Sequence, residues 1–429
     1  MKPVINIGII GLGVVGCGAY RILRDNARLI ELKVGSKLVV KQIADIDLER
    51  PRPIEFDRTV AVRDAYELVN NPEIDIVVEL IGGVHPPYDY IMAAIKNGKH
   101  IVTANKELIA KEGHSLLVEA GARKQDFYFE ASVGGGIPII RPMKICLAGN
   151  VIREIKGIVN GTTNYILTRM AEGGKDFGQV LADAQERGYA ERDPSNDVDG
   201  HDAAYKIAIL AAIGFTSRVD VSRVHREGIR AVTQKDMAYA RELGYSLKLL
   251  AIAKEINGAM QVRVHPTMVP INHPLVSVTD VYNGIYVTGE PIGNVMFYGR
   301  GAGPEAAGSA VVGDIIDIAR NINFGCTGRI ACTCFEEKPM QTMDDVRCKH
   351  YIRMQTDDRP GVLASVANVL GENKVSIRTV MQKGGREDGS TEVIWVTHEA
   401  PEPAVRKSLE TIRSLPVVNE VSNWIRVEE

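Results

Sequence analysis

The run INIGIIGLGVVGCGAYRIL, from Ile5 to Leu23, narrows the possible folds more than any other part of the chain. Ile5 to Ile10 has strand character, Gly11-Leu12-Gly13-Val14-Val15-Gly16 is a GxGxxG turn, and the following residues have helical spacing. Glycines also mark plain turns, so the motif alone says little. Here it occupies the first strand-to-helix turn, and a second strand, KLVVKQIAD, follows and ends on an acid, Asp45. That context predicts a dinucleotide site. Glycines allow a tight turn and close backbone approach, and the free N–H groups and dipole of a helix start hold a pyrophosphate. Gly11, Leu12, Gly13, Val14, Val15 and Gly16 are therefore expected at the cofactor. Asp45 against a ribose 2'-hydroxyl would favour NAD, whereas Arg50 and Arg52 against a 2'-phosphate would favour NADP, and both stay open.

IDIVVELIGG (Ile74 to Gly83), KHIVTANK (Lys99 to Lys106) and FYFEASVGG (Phe127 to Gly135) read as further strands, with amphipathic helices such as Tyr88 to Lys96 between them. Apolar strands alternating with helices predict an α/β fold, a Rossmann-type doubly wound parallel sheet covered on both faces. Ligands sit at the strand C-terminal ends of such sheets, which puts Gly82, Thr103, Asn105 and Lys106 at the cofactor mouth.

At 429 residues the chain exceeds one typical core, and 45% hydrophobic with 24% charged residues predicts folding throughout. A net charge of -3 with dispersed Lys and Arg implies no nucleic acid and no anionic membrane as partner. The longest apolar runs, such as IAILAAIGF from Ile207, fall short of the about 20 residues a bilayer needs. The N-terminus reads as a strand rather than a leader, so the expected location is cytoplasmic. Cysteines 17, 146, 326, 332, 334 and 348 lack zinc-ribbon spacing. Cys332 and Cys334, in CTC, read as buried or strand-edge thiols rather than a metal or redox pair.

GYAERDPSNDVDGHDAAYK, Gly188 to Lys206, packs five carboxylates ahead of one lysine. Asp193-Pro194 reads as a turn, and Asp199 to Asp202 has capping-box spacing at the start of a helix. Lacking His or Cys at ligand spacing and the calcium-loop pattern, the stretch suits an amine better than a metal. Asp202 and Lys206 share a helix face, and the apolar run beyond favours a polar cavity over bulk solvent for the lysine. A monovalent cation fits better at EASVGGGIP, where Glu130 precedes a glycine-rich turn. His201 and His225 read as structural.

From Val151 to about Phe297, strands such as VIREIKGIV and MQVRVHPTMV mixed with helices predict an α+β substrate domain, of a kind that pairs subunits into a homodimer or homotetramer. GRGAGPEAAGSAVVGDIIDIA, 299 to 319, again opens a helix on glycines. The last stretch has the order βαββαβ over about eighty residues, the ferredoxin-like plan. Its Asp357 to Leu363 turn offers N–H groups to an effector carboxylate. The expected division is 1–146 for the nucleotide domain, completed by about 298–325, then 147–297, a linker at 326–348, and 349–429.

TANKELIA (103–110), FEASVGGGIPII (129–140), NGTTNYIL (160–167) and the 188–206 stretch, in this order behind GLGVVG, resemble the homoserine dehydrogenase family from Gly8 to about Arg329. DRPGVL resembles the start of an ACT domain, an amino-acid-sensing module. The resemblance implies reversible reduction of L-aspartate 4-semialdehyde to L-homoserine with NADP or NAD as cofactor, on the branch to threonine, isoleucine and methionine. It implies that Glu191 and Asp202 hold substrate, and that Lys206 and Lys106 line the active site. Lys206 is then the proton donor, and Lys106 a cofactor contact and second cation. It places Gly188 and Gly303 beside the cofactor, and sodium on Glu130 with the backbone of Val133, Gly135 and Ile137. Threonine is the implied effector, at Asp357, Arg359, Gly361, Val362 and Leu363. A reductase forming an acyl phosphate would need an activated cysteine. A non-catalytic cofactor and amino-acid sensor has no use for Lys106, Glu191, Asp202 and Lys206 together.

Overall fold

Strands β1 (Val4–Ile10), β2 (Lys37–Ala44), β3 (Ala61–Val62), β4 (Ile76–Glu79), β5 (His100–Thr103) and β6 (Phe127–Tyr128) form one parallel sheet, ordered β3-β2-β1-β4-β5-β6. Ile5, Ile7 and Ile9 of β1 and Ile76 and Val78 of β4 are buried at the centre of this sheet. The order reverses between β1 and β4, which is where such folds open a ligand crevice. The arrangement is the Rossmann type expected from the apolar strands. The computed structural model describes residues 1–385 and 389–428.

The chain divides into two units, Met1–Gly161, Tyr205–Ser222 and Val281–Lys338 in the first, and Thr162–Ala204, Arg223–Asp280 and Pro339–Glu429 in the second. In the first unit the helix Pro304–Phe324 returns to the nucleotide sheet. Its Val311, Val312, Ile315 and Ile318 complete the core over β1 and β4. It lies against the first helix, Val14–Asp25, through glycines: a Cβ on Gly18 would stand 2.0 Å from the Pro304 carbonyl oxygen, and one on Gly308 2.8 Å from the Ala19 nitrogen. Strands Val151–Ile158, Tyr282–Glu290 and Gly293–Arg300 form an antiparallel trio in this unit.

The expected strand over Phe127 to Gly135 is shorter than its apolar sequence suggests. Only Phe127 and Tyr128 pair with β5, and Glu130–Ser132 coils into a 3-10 turn. The reason is competition from carboxylates, because Asp314 takes the Glu130 N–H at 2.8 Å.

In the second unit, strands Tyr245–Ile256 and Ala259–Pro270 form a hairpin, and Val418–Val427 adds parallel to its edge. That last strand also belongs to the C-terminal βαββαβ module, beside Arg347–Asp357, followed by Ser390–Thr397 and Ile377–Gly385. Helices Val362–Glu372 and Glu402–Arg413 cover one face over Ile352, Met354, Val393 and Trp395. This is the ACT fold.

The module is joined to the rest of its unit by buried charge. Arg353 donates to Asp236 at 2.8 Å and to Glu392 at 3.0 Å, with side chains 5%, 0% and 6% exposed. Arg426 pairs with Glu402 and Glu227, and Arg263 with Glu428. Among the described residues no helix is long and apolar enough to cross a membrane.

Candidate active site

The glycine turn has the form its sequence predicts. Gly11 takes φ +95, and a Cβ on Gly16 would lie 2.2 Å from the Gly11 carbonyl oxygen, so both positions require glycine. Gly13 caps the helix Val14–Asp25 without a side-chain hydrogen bond, is exposed, and has nothing within 4 Å of its Cβ direction. A pyrophosphate fits a cradle of this kind.

Asp45, just past β2, has partners within the protein. Its carboxylate accepts from the Leu12 N–H at 2.7 Å and the Asp47 N–H at 2.9 Å, and pairs with Arg52 at 3.1 Å. Asp45 thus ties the glycine turn to the loop after β2. The Arg52 side chain is 4% exposed and spends its remaining donors on carbonyls of Leu12, Asp47, Leu48 and Arg50. Arg50 is exposed.

At the other side of the switch point, the Thr103 hydroxyl donates to Glu79 at 2.6 Å and accepts from the Asn105 N–H. Asn105 caps the helix Lys106–Ala122 through the Leu108 N–H and donates to the Gly83 carbonyl. Lys106 is the first residue of that helix and is half-buried. Glu79, which sequence reasoning missed, also accepts from Ile81 and Gly82 N–H groups, and burial raises its pKa despite these bonds. An acid closing the apolar strand IVVE was the available signal.

Lys206 lies on the helix His201–Gly214, 8% exposed, and donates to the Val159 carbonyl at 2.7 Å. Tyr205 beside it lies 3.5 Å from Glu107 and under Lys111, ring centroid at 5.6 Å. The two lysine-bearing helices therefore meet one residue past Lys106 and one residue before Lys206. Asp202 stands one turn before Lys206 on the same helix and is 1% exposed. The unit boundary falls within this helix, after Ala204, so Asp202 and Glu191 belong to the second unit and both lysines to the first.

Asp199 does not open that helix. Arg230 binds its carboxylate at 2.6 and 3.1 Å, so Asp199 closes the short helix Ser195–Val198, and the next begins after Gly200 at φ +82. A bidentate guanidinium outcompetes the backbone N–H of a capping box. Asp193 makes the expected turn, accepting from the Ser195 N–H and hydroxyl. Glu191 is exposed, and Gly188 sits at φ +73. His225 has an acid partner, Glu227 at 2.8 Å, that lies two residues on rather than at motif spacing.

Glu130 is 6% exposed and accepts from the N–H groups of Ile139, Ile140 and Arg141. These take three of the about four lone-pair positions a carboxylate offers. The turn beyond it passes through Gly134 at φ +73 and Gly135 at φ +56. A carboxylate is a hard-oxygen donor of the kind an alkali cation takes. The Asp357 to Leu363 turn is also formed: Gly361, at φ +90, starts the helix Val362–Glu372 without a side-chain cap. A cavity of about 260 Å³ is lined there by Asp357, Arg359, Gly361, Val362, Leu363 and Gln382. Arg359 and Asp357, both of this lining, pair with each other at 3.1 Å.

Three family profiles match. Homoserine dehydrogenase, NAD binding domain, matches residues 11–130, homoserine dehydrogenase matches 138–316, and the ACT domain matches 350–414. The chain is 45% identical to a homoserine dehydrogenase of Synechocystis over 433 residues, covering 99% of each. It is 38% identical to one from Bacillus subtilis, covering 99% of this chain and 98% of that one. Among solved structures it is similar to a homoserine dehydrogenase from Thiobacillus denitrificans, with TM-score 0.93, 38% identity, and 99% and 98% of the two chains covered. It is also similar to a hyperthermophilic archaeal homoserine dehydrogenase in complex with NADPH, with TM-score 0.62, 27% identity, and 73% and 97% covered.

Proposed function

The chain belongs to the homoserine dehydrogenase family, NAD(P)-dependent oxidoreductases acting on a CH–OH group, and on that premise we propose that it reversibly reduces L-aspartate 4-semialdehyde to L-homoserine. The product feeds threonine, isoleucine and methionine synthesis, and the working form is a cytoplasmic homodimer or homotetramer. The observation that carries the reading is Lys206, buried at 8% exposure and fixed by the Val159 carbonyl.

Bound at the Gly11 to Gly16 turn, NADP(H) or NAD(H) supplies the hydride exchanged with the carbonyl carbon. Negative charge then develops on the substrate oxygen, and Lys206 donates the proton it needs. Reduction uses the charged ammonium form of the lysine. The Val159 carbonyl takes one of the three ammonium donors and so orients the others. We assign Lys106 to the cofactor and to charge support, and Glu191 and Asp202 to the substrate ammonium. Thr103, Gly188 and Gly303 are assigned to cofactor contacts, with Thr103 acting through backbone because its hydroxyl serves Glu79. Sodium is assigned to Glu130 with the carbonyls of Val133, Gly135 and Ile137. The assay is oxidation of NADPH and of NADH with aspartate 4-semialdehyde, and no turnover with either cofactor would overturn the reading.

Cofactor choice is assigned to Arg50. Because Arg52 neutralises Asp45, the turn does not repel a 2'-phosphate, and Arg50 is the exposed cation beside it. Arg50→Ala is expected to raise KM for NADPH about tenfold, the scale of one lost charge-assisted hydrogen bond. KM for NADH should stay nearly constant, and equal shifts for both cofactors would remove Arg50 from this role.

We assign the Asp357 to Leu363 cavity to threonine, its carboxylate at the Gly361 helix start and its ammonium at Asp357. Added threonine should inhibit the full chain, and Asp357→Ala should raise the half-inhibiting concentration about tenfold with basal turnover intact. Insensitivity of the unmodified enzyme would end the regulatory assignment.

A further inference from the structure

Cys332 and Cys334 were expected as buried or strand-edge thiols, but they are only half-buried and lie in coil, on the wall of a cavity of about 530 Å³ in the first unit. No helix or sheet ladder pins this wall. Its other sides are the helix Lys106–Ala122, the apolar flank of the helix His201–Gly214 at Ile209 and Ile213, and the turn that carries Lys144.

The polar groups of this cavity converge on the cysteines. Cys332 Sγ lies 3.8 Å from His114 Nδ1, and Cys334 Sγ donates to the Ala212 carbonyl at 3.7 Å. Lys144 Nζ reaches the Ala331 carbonyl at 3.3 Å, just before them. We propose that Cys332 and Cys334 form a thiol–disulfide exchange site for small disulfides, with Cys332 attacking and Cys334 resolving.

The chemistry balances with a small disulfide, RS–SR, as the oxidant. The Cys332 thiolate attacks one sulfur, the S–S bond breaks, and RS⁻ leaves with the electron pair. Cys334 then attacks the Cys332 sulfur of the mixed disulfide and expels the second RS⁻. Two electrons pass from the cysteines to the oxidant, and the two thiol protons end on the two released RSH molecules.

The division of labour follows from the surroundings. The neighbouring Cys334 thiol, acting against burial and helped by the Cys334 N–H, His114 and Lys144, pulls Cys332 below the ordinary thiol range. Proximity to Cys332, with burial, pushes Cys334 upward. The charged and titratable groups facing the pair are Lys111, Glu112 and His114 from one helix, Lys144 from its turn, and Arg218 and Asp220 after the other helix. Three cations thus face two acids in this lining, although burial lowers the Lys144 pKa.

The full-length reduced chain carries its own controls, because Cys146 and Cys326 are exposed. At about pH 6, iodoacetamide should alkylate Cys332 about tenfold faster than either, its larger thiolate fraction outweighing its lower intrinsic nucleophilicity. Oxidised glutathione should remove about 2 Da from the intact mass and link Cys332 to Cys334. The Cys334→Ser variant should stop at a glutathione adduct on Cys332. Alkylation of Cys332 no faster than of Cys146 and Cys326, or oxidation that leaves Cys332 and Cys334 unlinked, overturns the proposal. The alkylation comparison needs no variant and holds whether or not Cys334→Ser folds.

Discussion

Replacing Lys206 with Met is expected to lower kcat for aspartate 4-semialdehyde reduction by about 10³-fold, within the range that a lost general acid costs. Methionine keeps the unbranched stem and the packing of the helix His201–Gly214 while removing the ammonium. The Val159 carbonyl would lose its donor, at about 1–3 kcal/mol of stability, so unfolding must be measured alongside turnover. NADPH affinity should stay within about twofold, since cofactor contacts are assigned elsewhere. Lys106→Met provides the contrast, with a larger rise in cofactor KM than loss of kcat. If Lys206→Met retained a kcat within tenfold of the parent while folded, another group would have to supply the proton.

The second large effect lies in the joint between the ACT module and its unit. Arg353→Met removes the guanidinium from Asp236, which is fully buried, and from Glu392, which is 6% exposed. Breaking a buried pair on one side costs about 3–5 kcal/mol, because the remaining charge stays desolvated. Both tryptophans of the chain, Trp395 and Trp424, lie in this module, so their fluorescence follows its unfolding in urea. A loss below about 1 kcal/mol would show that the network contributes little net stability.

The same pair has a pH signature. Burial alone would raise the Asp236 pKa, but Arg353, Thr233 and Asn423 outweigh it and hold the carboxylate below its usual 3.8. A depressed carboxylate stabilises the fold above its unfolded pKa, and that contribution is lost as pH falls through the folded value. In Arg353→Met the burial effect is less opposed, so the folded pKa rises and stability instead declines as pH climbs past the unfolded value. The stability difference between parent and variant should therefore be largest near neutrality and shrink towards about pH 4.

Much of the fold was legible because local patterns carried it. Apolar β1 followed by three glycines, and the βαββαβ rhythm after Lys349, each encode their own geometry over short spans. The burial of Lys206 and Asp202 was legible from the apolar run that follows them on their helix. The site was not legible where the partner is remote or is backbone. Nothing near Asp199 announces Arg230, 31 residues away. The Val159 carbonyl that holds Lys206 has no side-chain signature, and neither do the backbone N–H groups of Ile139, Ile140 and Arg141 that turn toward Glu130. The CTC thiols were misplaced for the same reason, since a cavity wall assembled from three distant segments leaves no trace in three letters.

The glycine contact between Gly18 and Pro304 also bears on how the chain comes to be folded at all. A nascent chain leaving the ribosome has made β1 and its helix long before Pro304–Phe324 exists, yet that helix supplies part of the core over β1 and β4. Until it emerges, Ile5, Ile9 and Ile76 have an uncovered side, the condition in which partly made chains aggregate. Synthesis that pauses before Phe324 would leave the cofactor cradle written but unfinished, so this enzyme should lean on chaperones until late in translation.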